Sequence, residues 1–403
     1  MTRKLYWENP YLFEARANVI STDCDDEECN VVLDKTIFYP DMSGGQPGDI
    51  GTIGEQKVLR TFERGSDIVH VLKSQPRATN VSLNINPDRR FDLMQQHTGQ
   101  HLLSGVLYRL FKYETISFHL GEDYATIDLN CPAISDEELE QTERLCNKII
   151  QSNFEVKSYF VSRDKVKYLP VRKPPTVDED IRIVEIEGFD FSPCGGTHLS
   201  GTGELGLIKI LKTEKYKGNV RMYFLCGKRA LKDYFNRYKA TREIGAMLSA
   251  GDSDLVEKFT SLYDEKEGLQ KENRELKERL ISLECGLLLT KAQLFEEVNL
   301  VHEIFDGRDF KSLNSLGNQI TSNNEKTLIV FGTTGEEHSQ FIISKSRDFE
   351  LDLSELYKSI SSTFSVKGGG NSNTVQGSVD KEQLNDLIEY SIELIKIKLN
   401  KKL

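Results

Sequence analysis

The pattern of apolar and polar positions changes three times along the chain. Residues 1–88 hold short β-type runs, such as Asn30-Val-Val-Leu, Thr36-Ile-Phe-Tyr, Lys57-Val-Leu-Arg and Asp67-Ile-Val-His-Val-Leu, divided by clusters of Gly, Pro, Asn and Asp. Runs of this kind, evenly spaced with turn residues between them, predict a small β-barrel or sandwich. From Asp88 to Phe111 apolar residues recur at three- and four-residue steps, which predicts one long helix. A strand pair is expected over 115–118 and 125–129. Ser135, with Glu138 three residues later, carries the capping-box signature of a second helix that should run to about Asn153. Strand-like runs return over 154–227, so 89–240 reads as an α+β unit.

Residues 241–303 contain no proline, and Leu262, Leu269, Leu276 and Leu283 fall seven apart. That is heptad spacing, expected of a helical hairpin or coiled coil; the plainer alternative is a solvated, charged helix packed on its own domain. The last hundred residues alternate helix (309–321), strands (327–331 and 340–344), helix (353–364), a glycine-rich turn and a final helix (380–398). The chain therefore reads as an α+β multidomain protein in four segments: a small N-terminal β-barrel (1–88), an α+β domain (89–240), a helical or coiled-coil linker (241–303) and a small C-terminal α/β domain (304–403).

Composition narrows the function classes. The chain has 403 residues and a formal net charge of -11. No apolar run approaches the ~18–20 residues that span a bilayer, and the N-terminus lacks the apolar core of a secretory signal, so a soluble cytoplasmic protein with no membrane partner is expected. Seven cysteines, at 24, 29, 131, 146, 194, 226 and 285, are odd in number and scattered. They point to thiols or metal ligation and away from a disulfide scaffold. As a sum, the negative charge argues against a nucleic-acid partner. Its distribution argues the other way, because 205–242 carry eleven Lys and Arg against Glu214 and Asp233, with Tyr216, Tyr223, Tyr234 and Tyr238 interleaved. The alternative is an ordinary solvated face.

His97 and His101 lie four apart on the predicted helix, so both imidazoles emerge on one face. His198 follows Cys194 by four residues in a loop whose glycines let the backbone curl and both side chains converge. Two histidines from a helix with a cysteine and a histidine from a loop make a donor set suited to tetrahedral zinc. Four simultaneous ligands imply a closed, structural site; a displaced ligand would open the ion to water or a carbonyl. Both options remain open on sequence alone. A zinc peptidase is disfavoured because Thr98, not Glu, follows the first histidine.

The motifs His97-Thr-Gly-Gln-His101-Leu-Leu-Ser, Cys194-Gly-Gly-Thr-His198 and Phe38-Tyr-Pro-Asp-Met-Ser-Gly-Gly-Gln-Pro-Gly-Asp49-Ile-Gly-Thr-Ile resemble the editing region of alanyl-tRNA synthetases and their free-standing relatives, the AlaX alanyl-tRNA editing proteins. The resemblance extends over the whole length. It implies that 89–240 is a zinc-containing editing domain, and that the last hundred residues are the DHH-associated domain of the long AlaX form. By the same resemblance, His97, His101, Cys194 and His198 hold Zn2+. The implied activity is ATP-independent hydrolysis of the ester in tRNA(Ala) mischarged with serine, and also with glycine, by a homodimer joined through its C-terminal half. The synthetase's aminoacylation domain would lie upstream and is not expected here, so the chain should hydrolyse and not synthesise. Lys367-Gly-Gly-Gly-Asn-Ser-Asn-Thr-Val-Gln-Gly377 resembles the family's glycine motif, which assigns tRNA contact to Gly368, Gly369 and Gly370.

The chemistry is reasonable because a pocket built for alanine excludes neither glycine nor serine well, and a second sieve is needed. A polar group that hydrogen-bonds the serine hydroxyl is left unpaired by alanine and so rejects it. Gln100, Ser117 and His119 are candidates for pocket chemistry of this kind. In the loop before Ile50, Gln46 or Asp49 could contact the terminal adenosine or the ester, unless the loop is simply a tight turn. Lys215, Lys217 and Arg221 are the candidates for tRNA contact in the basic strip. The competing function is a non-catalytic tRNA-binding module with a structural zinc.

Overall fold

The computed structural model describes residues 1–41, 43–175 and 180–400, in two compact units, Met1–Met247 and Leu248–Leu403. The chain is a mixed α+β protein with several sheets. In the first unit the N-terminal runs pair into a seven-stranded antiparallel sheet in the order Gln56–Lys57, Gly51–Ile53, Asn80–Ile85, Glu14–Cys24, Cys29–Leu33, Asp67–Leu72 and Arg60–Arg64. Glu14–Cys24 is long enough to pair with Asn80–Ile85 through its first half and Cys29–Leu33 through its second, and its register shifts between Val19 and Ser21. A shift of that kind bends a sheet. Only Val58 and Leu59 separate the two edge strands, and their amides bond to Gly51 and Val71 at opposite edges. The sheet therefore curls into a half-barrel around Val31, Leu33, Phe38, Ile53, Leu72 and Leu83. Cys24 and Cys29 face each other across one hairpin and form a disulfide, where the sequence leads one to expect free thiols; the other five cysteines are free.

The helix Pro87–Phe111 follows, capped by Asn86 with proline at its start. It is buried at every position from Leu93 to Leu107. Met94, Leu102, Leu103, Val106 and Leu107 pack in one core with the four-stranded antiparallel sheet of Thr115–Leu120, Ala125–Leu129, Asn219–Cys226 and Ile208–Tyr216. The same core takes Val184 and Ile186 from the three-stranded sheet of Val156–Val161, Ile181–Ile186 and Asp190–Pro193, together with Cys146, Ile149 and Ile150 from the helix Asp136–Ser152. That second helix opens on the predicted Ser135/Glu138 capping box. Close approach has a local cause at Gly99, where a Cβ would sit 2.1 Å from the Cys226 sulfur.

A buried helix is normally apolar all round, yet this one carries Gln95, Gln96, His97, Thr98, Gln100, His101 and Ser104 inside. Each is tolerated because it is hydrogen-bonded. Gln95 donates to the Glu204 carbonyl, and Gln96 bonds both the carbonyl and the amide of Cys226. The histidines reach partners described below.

In the second unit, a six-stranded mixed sheet runs Gln293–Phe295, Val298–Asp306, Thr327–Thr334, His338–Lys345, Thr374–Asp380, Lys367–Gly370, with one parallel pair at Val298–Asp306 and Thr327–Thr334. Helix Phe310–Asn323 packs over Ile329, Phe331 and Ile342. Helices Leu353–Thr363 and Leu384–Asn400 cover the other face over Leu328, Val330, Phe341 and Ile343. Two expectations change. Helix Leu255–Thr290 ends well before residue 303, and strands occupy 293–295 and 298–306, because Val298, Leu300 and Val301 alternate into the sheet's two faces. The glycine-rich turn is instead the edge strand Lys367–Gly370. Among the described residues no helix is long and apolar enough to cross a membrane.

Candidate metal centre

The buried helix presents His97 and His101 one turn apart, and the loop after Asp190–Pro193 brings Cys194 and His198 to meet them. The ligand atoms of the four residues lie within 4.8 Å of one another. Cys194 Sγ is 3.5 Å from His97 Nε2 and 3.3 Å from His198 Nε2. A tetrahedral zinc with nitrogen at about 2.0 Å and sulfur at about 2.3 Å separates such atoms by about 3.5 Å. The donor set and its spacing therefore fit zinc.

Each imidazole is oriented through its other nitrogen. His97 Nδ1–H donates to Gln46 Oε1 at 2.8 Å, and His101 Nδ1–H donates to Asp190 Oδ2 at 3.0 Å. His198 Nδ1 lies 3.2 Å from the Thr98 hydroxyl. These partners fix each ring and turn its Nε2 toward the cluster. Gln46 is itself held: its Oε1 accepts from the Thr197 amide and its Nε2 donates to the Thr197 hydroxyl. Asp190 is clamped by Arg172, whose Nη2 lies at 3.2 Å, and by the Ser192 hydroxyl at 2.9 Å.

The electrostatics are those of a ligand cluster. Burial opposes ionisation of Cys194, but the surrounding imidazoles bring its thiol well below the ordinary value. Burial likewise opposes charge on His101, yet Asp190 and the Cys194 sulfur lift it to about 9. His198 is pushed well down by burial and by His97. Around Asp190 burial would raise the carboxyl, and His101 and Arg172 outweigh it, leaving it below its usual range.

The loop's shape follows from three contacts. At Gly196 a Cβ would lie 2.2 Å from His97 Cε1, so only glycine fits. Arg182 Nη1 donates to the carbonyls of Cys194 and Gly196 at 2.8 and 2.9 Å. The indole N–H of Trp7, the chain's one tryptophan, donates to the Gly195 carbonyl at 2.7 Å. Beside the cluster opens a cavity of about 570 Å³ whose lining includes His97, Gln100, His101, Phe118, Lys173 and Cys194.

The other sequence-predicted residues divide. Gln100 lines this cavity, with its Nε2 donating to Ser104 Oγ at 2.8 Å and that hydroxyl 2.6 Å from Thr115 Oγ1. Gln46 reaches the site, but fully buried and as the support of His97. Asp49 does not reach it: its carboxylate takes Arg90 Nε at 3.0 Å and Nη2 at 2.5 Å and accepts the Tyr39 amide. His119 is corrected as well. Phe118 stacks on His97 with ring centroids 5.5 Å apart, and adjacent strand residues point to opposite faces, so the exposed His119 faces away. Ser117, unlike His119, is part of the cavity's lining, and its hydroxyl donates to Asp128. That carboxylate also pairs with Arg221 at 2.7 Å, and Arg221 lies over the Tyr216 ring at 3.6 Å. Lys215 and Lys217 flank Tyr216 at the tip of the same hairpin. Gly368, Gly369 and Gly370 line a cavity of about 580 Å³ in the second unit.

Sequence reasoning missed Asp190, Thr98, Phe118, Arg172, Lys173, Arg182 and Trp7. Asp190 left a signal, a carboxylate four residues before Cys194. The others left none, since their partners are distant in sequence and follow no period.

Comparison with known proteins places this geometry. Residues 181–223, which include both loop ligands, match the threonyl and alanyl tRNA synthetase second additional domain. Alanyl-tRNA editing protein Aarsd1-A of Xenopus laevis is 35% identical over 313 residues, covering 76% of this chain and 74% of that one. The chain belongs to the alanyl-tRNA editing protein family. Within it, AlaX-L of Pyrococcus horikoshii is 28% identical across 98% of this chain and 99% of its own length. The alanine–tRNA ligase of Pyrococcus abyssi is 32% identical over 98% of this chain, which spans 44% of the ligase.

Proposed function

We infer that the chain is a hydrolase that deacylates tRNA(Ala) mischarged with serine or glycine, using zinc held by His97, His101, Cys194 and His198. The observation that carries this reading is the convergence of three buried histidines and the partly buried Cys194 on the wall of a cavity of about 570 Å³, within the range of small-ligand sites. Zinc bound there supplies a Lewis acid for the ester carbonyl or for water. Gln46, Thr98 and Asp190 hold the three rings in register, and Arg182 and Trp7 hold the loop. Gln100 spends its Nε2 on Ser104 and keeps Oε1 as an acceptor for the serine hydroxyl. Alanine leaves that acceptor unpaired, a cost of about 1–3 kcal/mol, so the contact separates serine from alanine; glycine, which also lacks the hydroxyl, gains nothing from it.

The tRNA lies along the hairpin bearing Lys215, Lys217 and Arg221. Gly368, Gly369 and Gly370 give a second contact, the chain works in the cytoplasm, and two copies join through their C-terminal halves. The four-segment division, with the editing domain at 89–240, belongs to the same proposal. A single-turnover panel of seryl-, glycyl- and alanyl-tRNA(Ala) tests it: the seryl ester should decay fastest, the glycyl ester more slowly for want of the hydroxyl, and the alanyl ester survive. Survival of all three, with the protein still bound to tRNA, would favour the non-catalytic reading.

A further inference from the structure

Four cations line the cavity beside the metal centre, and three are committed. Lys4 pairs with Glu63 at 2.8 Å and lies over the Trp7 ring. Arg172 is bound to Asp190 and Ser192. Arg182 is spent on two loop carbonyls. Lys173 has no carboxylate partner among the described residues; its amine makes one long contact, 3.4 Å to the Ile116 carbonyl.

Its backbone is nonetheless held. Arg172 anchors it from one side, through the carboxylate that orients His101 and through a hydrogen bond from its own backbone N–H to the Phe191 carbonyl. Pro174 and Pro175 follow, and proline confines the preceding residue to extended backbone. The Ile116 contact ties the amine to the strand that carries Phe118, so Lys173 bridges two cavity walls. Desolvation and the Arg172 guanidinium lower its pKa against a smaller pull from Glu114, as expected of an ammonium lacking a compensating anion.

An aminoacyl ester carries no free carboxylate, and its α-amino group is repelled by a lysine. The anions of an RNA 3′ end are its phosphodiesters. We propose that Lys173 binds the phosphodiester preceding the 3′-terminal nucleotide, a positioning residue that directs the ester toward Gln100 and the metal centre and the phosphate toward the rim. This rests on the deacylase reading for its substrate, but not for its test.

The probe is a short RNA bearing serine on its 3′ end through a non-hydrolysable amide, made with a normal or a neutral methylphosphonate terminal linkage. Binding to metal-loaded full-length protein is compared for wild type, Lys173→Gln and Lys173→Arg, all with equal metal content. One charge-assisted contact predicts that Lys173→Gln raises Kd about tenfold and Lys173→Arg restores it to within about threefold. The methylphosphonate should weaken wild type by a similar factor and leave Lys173→Gln unaffected. Equal Kd for Lys173→Gln and wild type, or equal sensitivity of both to the methylphosphonate, overturns the proposal. If this pattern appears in a wild-type protein that hydrolyses no seryl ester, the phosphate contact stands and only the deacylase reading falls.

Discussion

Three chemically different partners, an amide, a hydroxyl and a carboxylate, hold the three imidazoles of the centre, and none is adjacent in sequence to the ring it holds. Supports of this kind tune affinity, so Gln46→Ala should weaken metal binding about 10–100-fold while the fold persists, measurable by competition with a chromophoric chelator. Gly196→Ala should be harsher, because the new Cβ would overlap His97 itself. Metal content by mass spectrometry should fall from one ion per chain toward none; full occupancy would show that the loop can shift. His70 is a separate case, fully buried in the half-barrel between Thr36 and the Val31 carbonyl, with its pKa lowered by burial to about 4. Its folded value lies below the unfolded value of about 6.5, so the unfolded chain takes the proton first and stability falls as pH drops from about 6.5 to 4. The full effect is about 3 kcal/mol. Tm measured across that window should decline more steeply for wild type than for His70→Gln.

At the scale of elements, the helix Leu255–Thr290 leaves its heptad leucines uncovered: Leu262, Leu269, Leu276 and Leu283 are 49%, 56%, 54% and 69% exposed. Proposed dimerisation through the C-terminal half would cover such a stripe. Leu276→Lys with Leu283→Lys should then convert a dimer to a monomer in sedimentation velocity, and a monomeric wild type would contradict the proposal. Elements with strong local signals were legible. The Ser135/Glu138 box and the heptad spacing needed only residues close in sequence. The cluster of His97, His101, Cys194 and His198 was legible because helical spacing and a glycine loop are local patterns. Strands Gln293–Phe295 and Val298–Asp306 were not, since a short apolar run after a long helix takes its identity from the parallel partner Thr327–Thr334. For the same reason Phe118 could not be distinguished from His119, because facing depends on a sheet register that sequence does not contain.

Across the whole molecule, the net charge of -11 conceals a local balance. Within the basic strip, Lys209, Arg221, Lys228, Arg229 and Arg237 are each paired with a carboxylate. Lys215 and Lys217 are the proposed RNA contacts in that strip, and exposed pairs contribute little to stability in any case. Charge reversal at those two lysines should therefore weaken tRNA binding and flatten its salt dependence. The central claim is that the four converging ligands hold the ion on which hydrolysis depends. Single-turnover deacylation of seryl-tRNA(Ala) by wild type and by Cys194→Ala, with bound metal and fluorescence of the single tryptophan measured on both, tests it most directly. The account predicts rapid hydrolysis by wild type and loss of the ion with a rate reduced more than about 100-fold in the folded variant. A folded, metal-free Cys194→Ala protein that deacylates at the wild-type rate would contradict it.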